Sequence, residues 1–186
     1  MRPATLLLLL PVAACAGSAS SSSPAPASQT VRVVGAQGGA SLTMAGENSP
    51  NVHTLAFGVD QVWRALPAVF DSLGIPIGTL DPAKRSIGNT GLMIRGRLKG
   101  VPLSRYIDCG SSTQIGPNAD SYDVSITMLA DVRPAEAGTT TVTTTLDAVA
   151  RPANFAQGYS QCRSKAVLET RFIDILTSRL ERAAHP

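Results

Sequence analysis

Sixteen Lys and Arg against 13 Asp and Glu leave this 186-residue chain a net charge of only +3. That excess is too small to mark a nucleic-acid binder, and an aromatic content of 4% provides few stacking platforms for bases or sugars. Once an N-terminal leader and a low-complexity stretch are set aside, about 155 residues remain, enough for one domain with a sizeable core and too few for two.

Arg2 precedes an apolar run, Leu6 to Leu10 with Val12 to Ala14, in the charge-then-apolar layout of an export signal. The run is shorter than the roughly 20 residues a bilayer span needs. It stops at Cys15, directly behind Val12, Ala13 and Ala14. This order resembles the lipobox of bacterial lipoproteins. The resemblance implies that residues 1–14 are a signal peptide, that the Cys15 thiol accepts a diacylglyceryl group, and that palmitate-type acyl chains hold the protein to a membrane. The residue type suits that chemistry, because a thiolate is a good nucleophile and each buried CH₂ contributes about 0.8 kcal/mol to anchoring. Ala16 follows the cysteine in place of the aspartate that acts as an inner-membrane retention signal in enteric bacteria. The expected location is therefore the cell envelope, on the outer membrane facing the periplasm. The alternative is an ordinary cleaved signal with an incidental Cys15. Residues 15–29, which include SASSSSPAPAS, carry too little apolar surface to offset their ordering entropy and read as a tether spanning about 20 Å.

The domain is expected over residues 30–186. Thr30 to Val34 and Ser41 to Met44 flank GAQGG and suggest a short hairpin or extended arm. VHTLAF (52–57) reads as a strand. Asp60 is the expected N-cap of a helix with Val62, Trp63, Leu66, Val69, Phe70 and Leu73 on one face, closed by Gly74 and kinked at Pro67. IPIGTL (75–80) and SIGNTGLMIR (86–95) read as strands joined by the turn DPAKR. In YDVSITMLAD (122–131), Tyr122, Val124, Ile126, Met128 and Ala130 alternate with polar residues. RPAEAG then turns the chain into TTTVTTTLDAVA (139–150), with Val142, Leu146 and Ala148 on one face, giving an antiparallel hairpin with one wet side. A last helix over Lys165 to Arg182 stripes Leu168, Phe172, Ile175, Leu176 and Leu180. The expected class is α+β: an antiparallel sheet with two helices packed on one face.

With Cys15 assigned to lipid, Cys109 and Cys162 remain as a pair in an exported, oxidising setting. A bridge would clamp the start of the last helix to the central loop. Two free or metal-ligating thiols are the alternative, but there is no CxxC and no histidine close by, and no metal is expected. No GxSxG, HExxH, Walker or dinucleotide pattern occurs, so neither an enzyme nor a cofactor is expected. A triad of Ser111 or Ser112 with His53 and Asp108 has nothing in the sequence to assemble it, and Asp120, Asp123 and Asp131 border a strand where acids usually face solvent. The nearest thing to a binding constellation is RGRLKG. In an extended segment Arg95, Arg97 and Lys99 would point together and, with Arg105 beyond, meet phosphate headgroups or an acidic partner. The alternative is an edge that uses charge to deter aggregation. Trp63 reads as core, and Tyr106 equally as a cover for the disulfide or as a binding residue.

FGVDQVWRALPAVFDSLGIPIGTLDPAKRSIGNTGLMIRG resembles the repeated domain of the BamC (NlpB) family, lipoproteins of the outer-membrane β-barrel assembly machine. Shared with that family are a helix starting near a V-W pair, a long apolar face, an L-G stop, and a strand, turn and strand. The resemblance implies a helix-grip-like domain and a role as an accessory to outer-membrane assembly. The expected function is thus a membrane-anchored binding module with an envelope protein as partner and no nucleic acid. The alternatives are a carrier of a small apolar ligand between sheet and helices, and an envelope hydrolase using the 105–123 loop.

Overall fold

The computed structural model describes residues 29–33, 40–44, 48–152 and 160–185; the leader, Cys15 and the tether up to residue 28 lie outside the described residues. In chain order the strands are β1 (Gln29–Val33), β2 (Ala40–Met44), β3 (Asn51–Leu55), β4 (Thr79–Asp81), β5 (Ser86–Arg95), β6 (Arg97–Leu98), β7 (Val101–Pro102), β8 (Ile107–Asp108), β9 (Ser111–Ser112), β10 (Gly116–Pro117), β11 (Asp123–Pro134), β12 (Thr140–Arg151) and β13 (Ser160–Ser164). The helices are α1 (Val59–Leu73), α2 (Asn118–Ser121) and α3 (Val167–Ala184). The chain is α+β, with an antiparallel sheet and the two long helices on one of its faces.

The period-2 run generates the centre of the sheet. β11 and β12 pair in unbroken register from Asp123↔Arg151 to Pro134↔Thr140. Their cross-strand pairs Ile126↔Ala148, Met128↔Leu146 and Val132↔Val142 are buried on one face. The opposite face carries Ser125, Thr127, Thr141, Thr143 and Thr145, so residues of one face pack and those of the other meet water. β5 adds to β11 with a bulge at Thr90–Leu92, and β4 covers only Ser86 to Gly88 of β5. Gly88 is required where it stands: a Cβ there would lie 2.0 Å from the Met128 carbonyl oxygen.

On its other flank β12 holds two strands end to end. β3 occupies Thr140 to Thr144 and β13 occupies Ala148 to Ala150; β8 then pairs with β13. Asn48 bridges the gap, donating to Asp147 Oδ1 (2.7 Å) and accepting from the Ser164 N–H (3.3 Å).

α1 and α3 cover the apolar face. Phe70 and Phe172 meet edge to face at 5.4 Å in a fully buried layer with Leu66, Leu168 and Leu176, each such side chain contributing about 1.5–3 kcal/mol by leaving water. The Arg179 guanidinium donates to Ser72 Oγ at 3.0 Å and so cross-links the helices.

Several boundaries differ from the sequence reading, for identifiable reasons. Helix α1 is capped at Gly58, and Asp60 sits inside its first turn, where it pairs with Arg85 at 2.9 Å. The helix runs unbroken through Pro67. Its end is a Schellman closure, with Gly74 N–H donating to Asp71 and Ile75 N–H to Phe70, both at 3.0 Å. That closure consumes Ile75, and Pro76 has no N–H, so β4 begins only at Thr79 rather than at residue 75. Helix α3 starts at Val167, after Ala166 adopts φ +58. The short pairs β6–β7, β8–β13 and β9–β10 and the four-residue helix α2 lie where a loop is expected.

Candidate binding site at the open edge of the sheet

Cys109 and Cys162 are bonded to each other, 53 residues apart in the chain. Around them side-chain hydrogen bonds hold the central loop. Asp120 accepts from Ser104 N–H (2.8 Å) and Ser104 Oγ (2.7 Å), Lys165 Nζ donates to the Ser104 carbonyl (2.7 Å), and Asn118 donates to the Cys109 carbonyl (3.2 Å). Tyr106 is buried in the core, with its carbonyl accepting from Lys165 N–H. Glu169, only 2% exposed, accepts from Ser164 Oγ at 2.6 Å, while that oxygen accepts from Ala166 N–H at 3.0 Å. Ser164 thus makes a side-chain turn just ahead of α3 and ties it to the helix's first turn.

The residues of the imagined triad are held apart. His53 is opposite Val142, whereas Asp108 pairs with Arg163 beyond the position where Cys162 faces Ala148. Six residues along β12 put about 20 Å between those places. Among the described residues no three His, Cys, Asp or Glu side chains form a group that could hold a metal ion. Asp123 and Asp131 sit on the wet face of β11, and Trp63 is half-buried against the core.

The basic segment does not form the continuous stripe that an extended chain would give. Gly96, at φ +74, breaks the strand after Arg95, and Lys99 (φ +48) with Gly100 (φ +79) makes the two-residue turn of the β6–β7 hairpin. Arg95 lies 3.6 Å from Asp123 and stays largely exposed, Arg97 donates to the Gly100 carbonyl at 2.8 Å, and Arg105 ends an exposed 3-10 turn. Lys99 folds back over the end of α1, so close that a Cβ on Gly74 would come within 2.5 Å of its Cγ.

That fold-back makes one wall of an open cleft of about 360 Å³. Pro67 and Asp71 of α1 and the Gly74–Ile77 connection form the rest. Asn89, whose side chain donates to the Pro76 carbonyl at 2.8 Å, ties this connection to β5. Beyond Asn89, β5 loses its outer neighbour, because β4 ends opposite Gly88. Gly91 N–H is satisfied by Asn89 Oδ1 at 3.0 Å, but among the described residues Leu92 to Arg95 have a strand on the β11 side only. Met93 on this edge is 62% exposed, Ile77 in the cleft wall 41%, and Leu80, further along opposite Ile87, 57%. The basic residues are legible from sequence; the juxtaposition of Ile77 and Asp71 in one cleft is not, because it depends on how Lys99 folds back over the end of α1.

The class this describes is an α+β domain with one braced end and one open-edged, apolar and basic end. Compared with known proteins, the chain matches no family model and no curated sequence.

Proposed function

We propose that the protein is a lipid-anchored lipoprotein of the bacterial envelope, held through Cys15, whose domain is a non-enzymatic binding module accessory to outer-membrane protein assembly. The binding reading is carried by one observation: the open edge of β5 lies beside a cleft and is fringed by Met93, Ile77 and three basic residues. Clustered exposed apolar groups with a polar rim favour an interaction surface. The lipid anchor rests on the residues before Cys15, and the assembly role on the resemblance over residues 57–96. A carrier would need a hollow between sheet and helices, where Phe70, Phe172, Met128 and Leu176 are packed without exposure.

Two measurements in intact cells test this. A photo-crosslinking residue at position 93 is expected to yield a discrete adduct with an envelope protein, and Cys15→Ser is expected to move the protein from the membrane to the soluble fraction. A wild-type chain that fractionates as soluble, or position 93 giving no adduct, refutes the corresponding half of the proposal.

A further inference from the structure

Resting on the reading of a binding module, we infer that the partner contributes an extended, acidic segment that adds as a strand to β5 along Met93 to Arg95. The ladder itself fixes which groups are on offer. Val132 N–H donates to the Arg85 carbonyl at 3.0 Å, so the main-chain groups of Val132 and, by alternation, those of Ala130, Met128, Ile126 and Val124 face β5. After the bulge, Leu92 and Ile94 stand opposite Ile126 and Val124 and spend their N–H and C=O groups on β11. Those of Met93 and Arg95 therefore point away from the sheet, and no described strand pairs with them.

An extended peptide would satisfy these groups with main-chain hydrogen bonds, while its alternate side chains reach the surfaces on either side. One side offers exposed Met93 on the wet face; the cleft beside Pro76 and Ile77 opens on the helix side. Arg95, Arg97 and Lys99 surround the edge, with Asp71 in the cleft wall and Asp123 against Arg95 as the acids nearby. This balance selects an acidic occupant. It also disfavours a second copy of the chain, because edge-to-edge pairing would bring the same basic residues of both copies together. The bulge at Gly91 and the arginines are devices that keep an edge from pairing indiscriminately. They leave a short stretch open to a segment of opposite charge.

The test uses the full-length protein purified in detergent and a labelled synthetic peptide alternating Asp and Val. The expected result is saturable binding with slowed amide exchange at Met93 and Arg95. Met93→Pro removes an outward N–H without taking a ladder bond and is expected to weaken binding by tenfold or more, about 1.4 kcal/mol, whereas Met93→Ala keeps it. Should Met93→Pro fail to fold, the triple reversal Arg95→Glu, Arg97→Glu, Lys99→Glu decides, with preference expected to pass to a peptide alternating Lys and Val. Peptide binding that leaves both amides exchanging freely overturns the proposal, as does a preference unmoved by reversal. Binding to phosphatidylglycerol vesicles through the same arginines, with none to the peptide, overturns it in favour of a membrane contact. Because these readouts use purified protein, they can fail while the crosslinking and fractionation in cells succeed, and the reverse.

Discussion

The two ends of the sheet solve the same problem in opposite ways. At the β13–β8 end side chains cross-link the chain: a disulfide joins Cys109 to Cys162, Lys165 and Asp120 both hold Ser104, and Asn48 stitches β13 to β12. At the β4–β5 end the neighbouring strand stops after three residues and leaves main-chain groups, Met93 and Ile77 facing outward. The contrast teaches that the disulfide and the unpaired main-chain groups occupy opposite ends of one sheet, so that either can be altered without touching the other.

Breaking the brace should have the largest effect. The double substitution Cys109→Ala, Cys162→Ala releases a 53-residue separation and is expected to cost about 4 kcal/mol in the chain-entropy model, read from denaturant unfolding. If binding at position 93 then persists in the still-folded fraction, the two ends are independent. Next, Ser164→Ala removes the hydroxyl that donates to the buried Glu169 side chain and is expected to cost about 2 kcal/mol; a loss under about 0.5 kcal/mol would show that this contact is dispensable. Gly74→Ala places a side chain at φ +75 and against Lys99, with an expected loss of about 1–2 kcal/mol and a displaced cleft wall. Smallest on stability is Arg95→Glu with Arg97→Glu, expected within about 0.5 kcal/mol of the parent by thermal melting, although peptide binding is lost. A large stability loss there would make the arginines part of the brace instead of the site.

Much of the braced framework is legible in the sequence because it rests on periodicity and counting. The alternation in YDVSITMLAD places Val124, Ile126 and Met128 in the core, the spacing from Val62 to Leu73 fixes the buried face of α1, and three cysteines less one leave the observed pair. Strands of two residues have no period to read, so β8 and β6–β7 were hidden. β13, SQCRS, has a single buried apolar position, Cys162, and looks like loop. Glu169 is an acidic residue in the first turn of α3, so its burial, with Ser164 donating to one oxygen, is not legible from sequence. The open edge depends on where β4 starts, which the Gly74 closure and Pro76 delay to Thr79, opposite Gly88. Within RGRLKG the basic residues were visible, but their alternation was misleading: Gly96 and Lys99-Gly100 turn the chain twice.

The placement of Asn48 has a mechanical consequence. Asn51 pairs with Thr144, and three steps further along both chains Asn48 bonds Asp147, so the segment entering the domain continues the line of β3. A pull along that line from the N-terminal side loads the pairs of β3 together in shear, after first straining the Asn48 clip, whereas a pull across it would unzip them one at a time. A partner held at β5 and an attachment upstream of Asn48 would thus place opposed forces on opposite edges of one sheet, with β12 as the member that transmits tension between them.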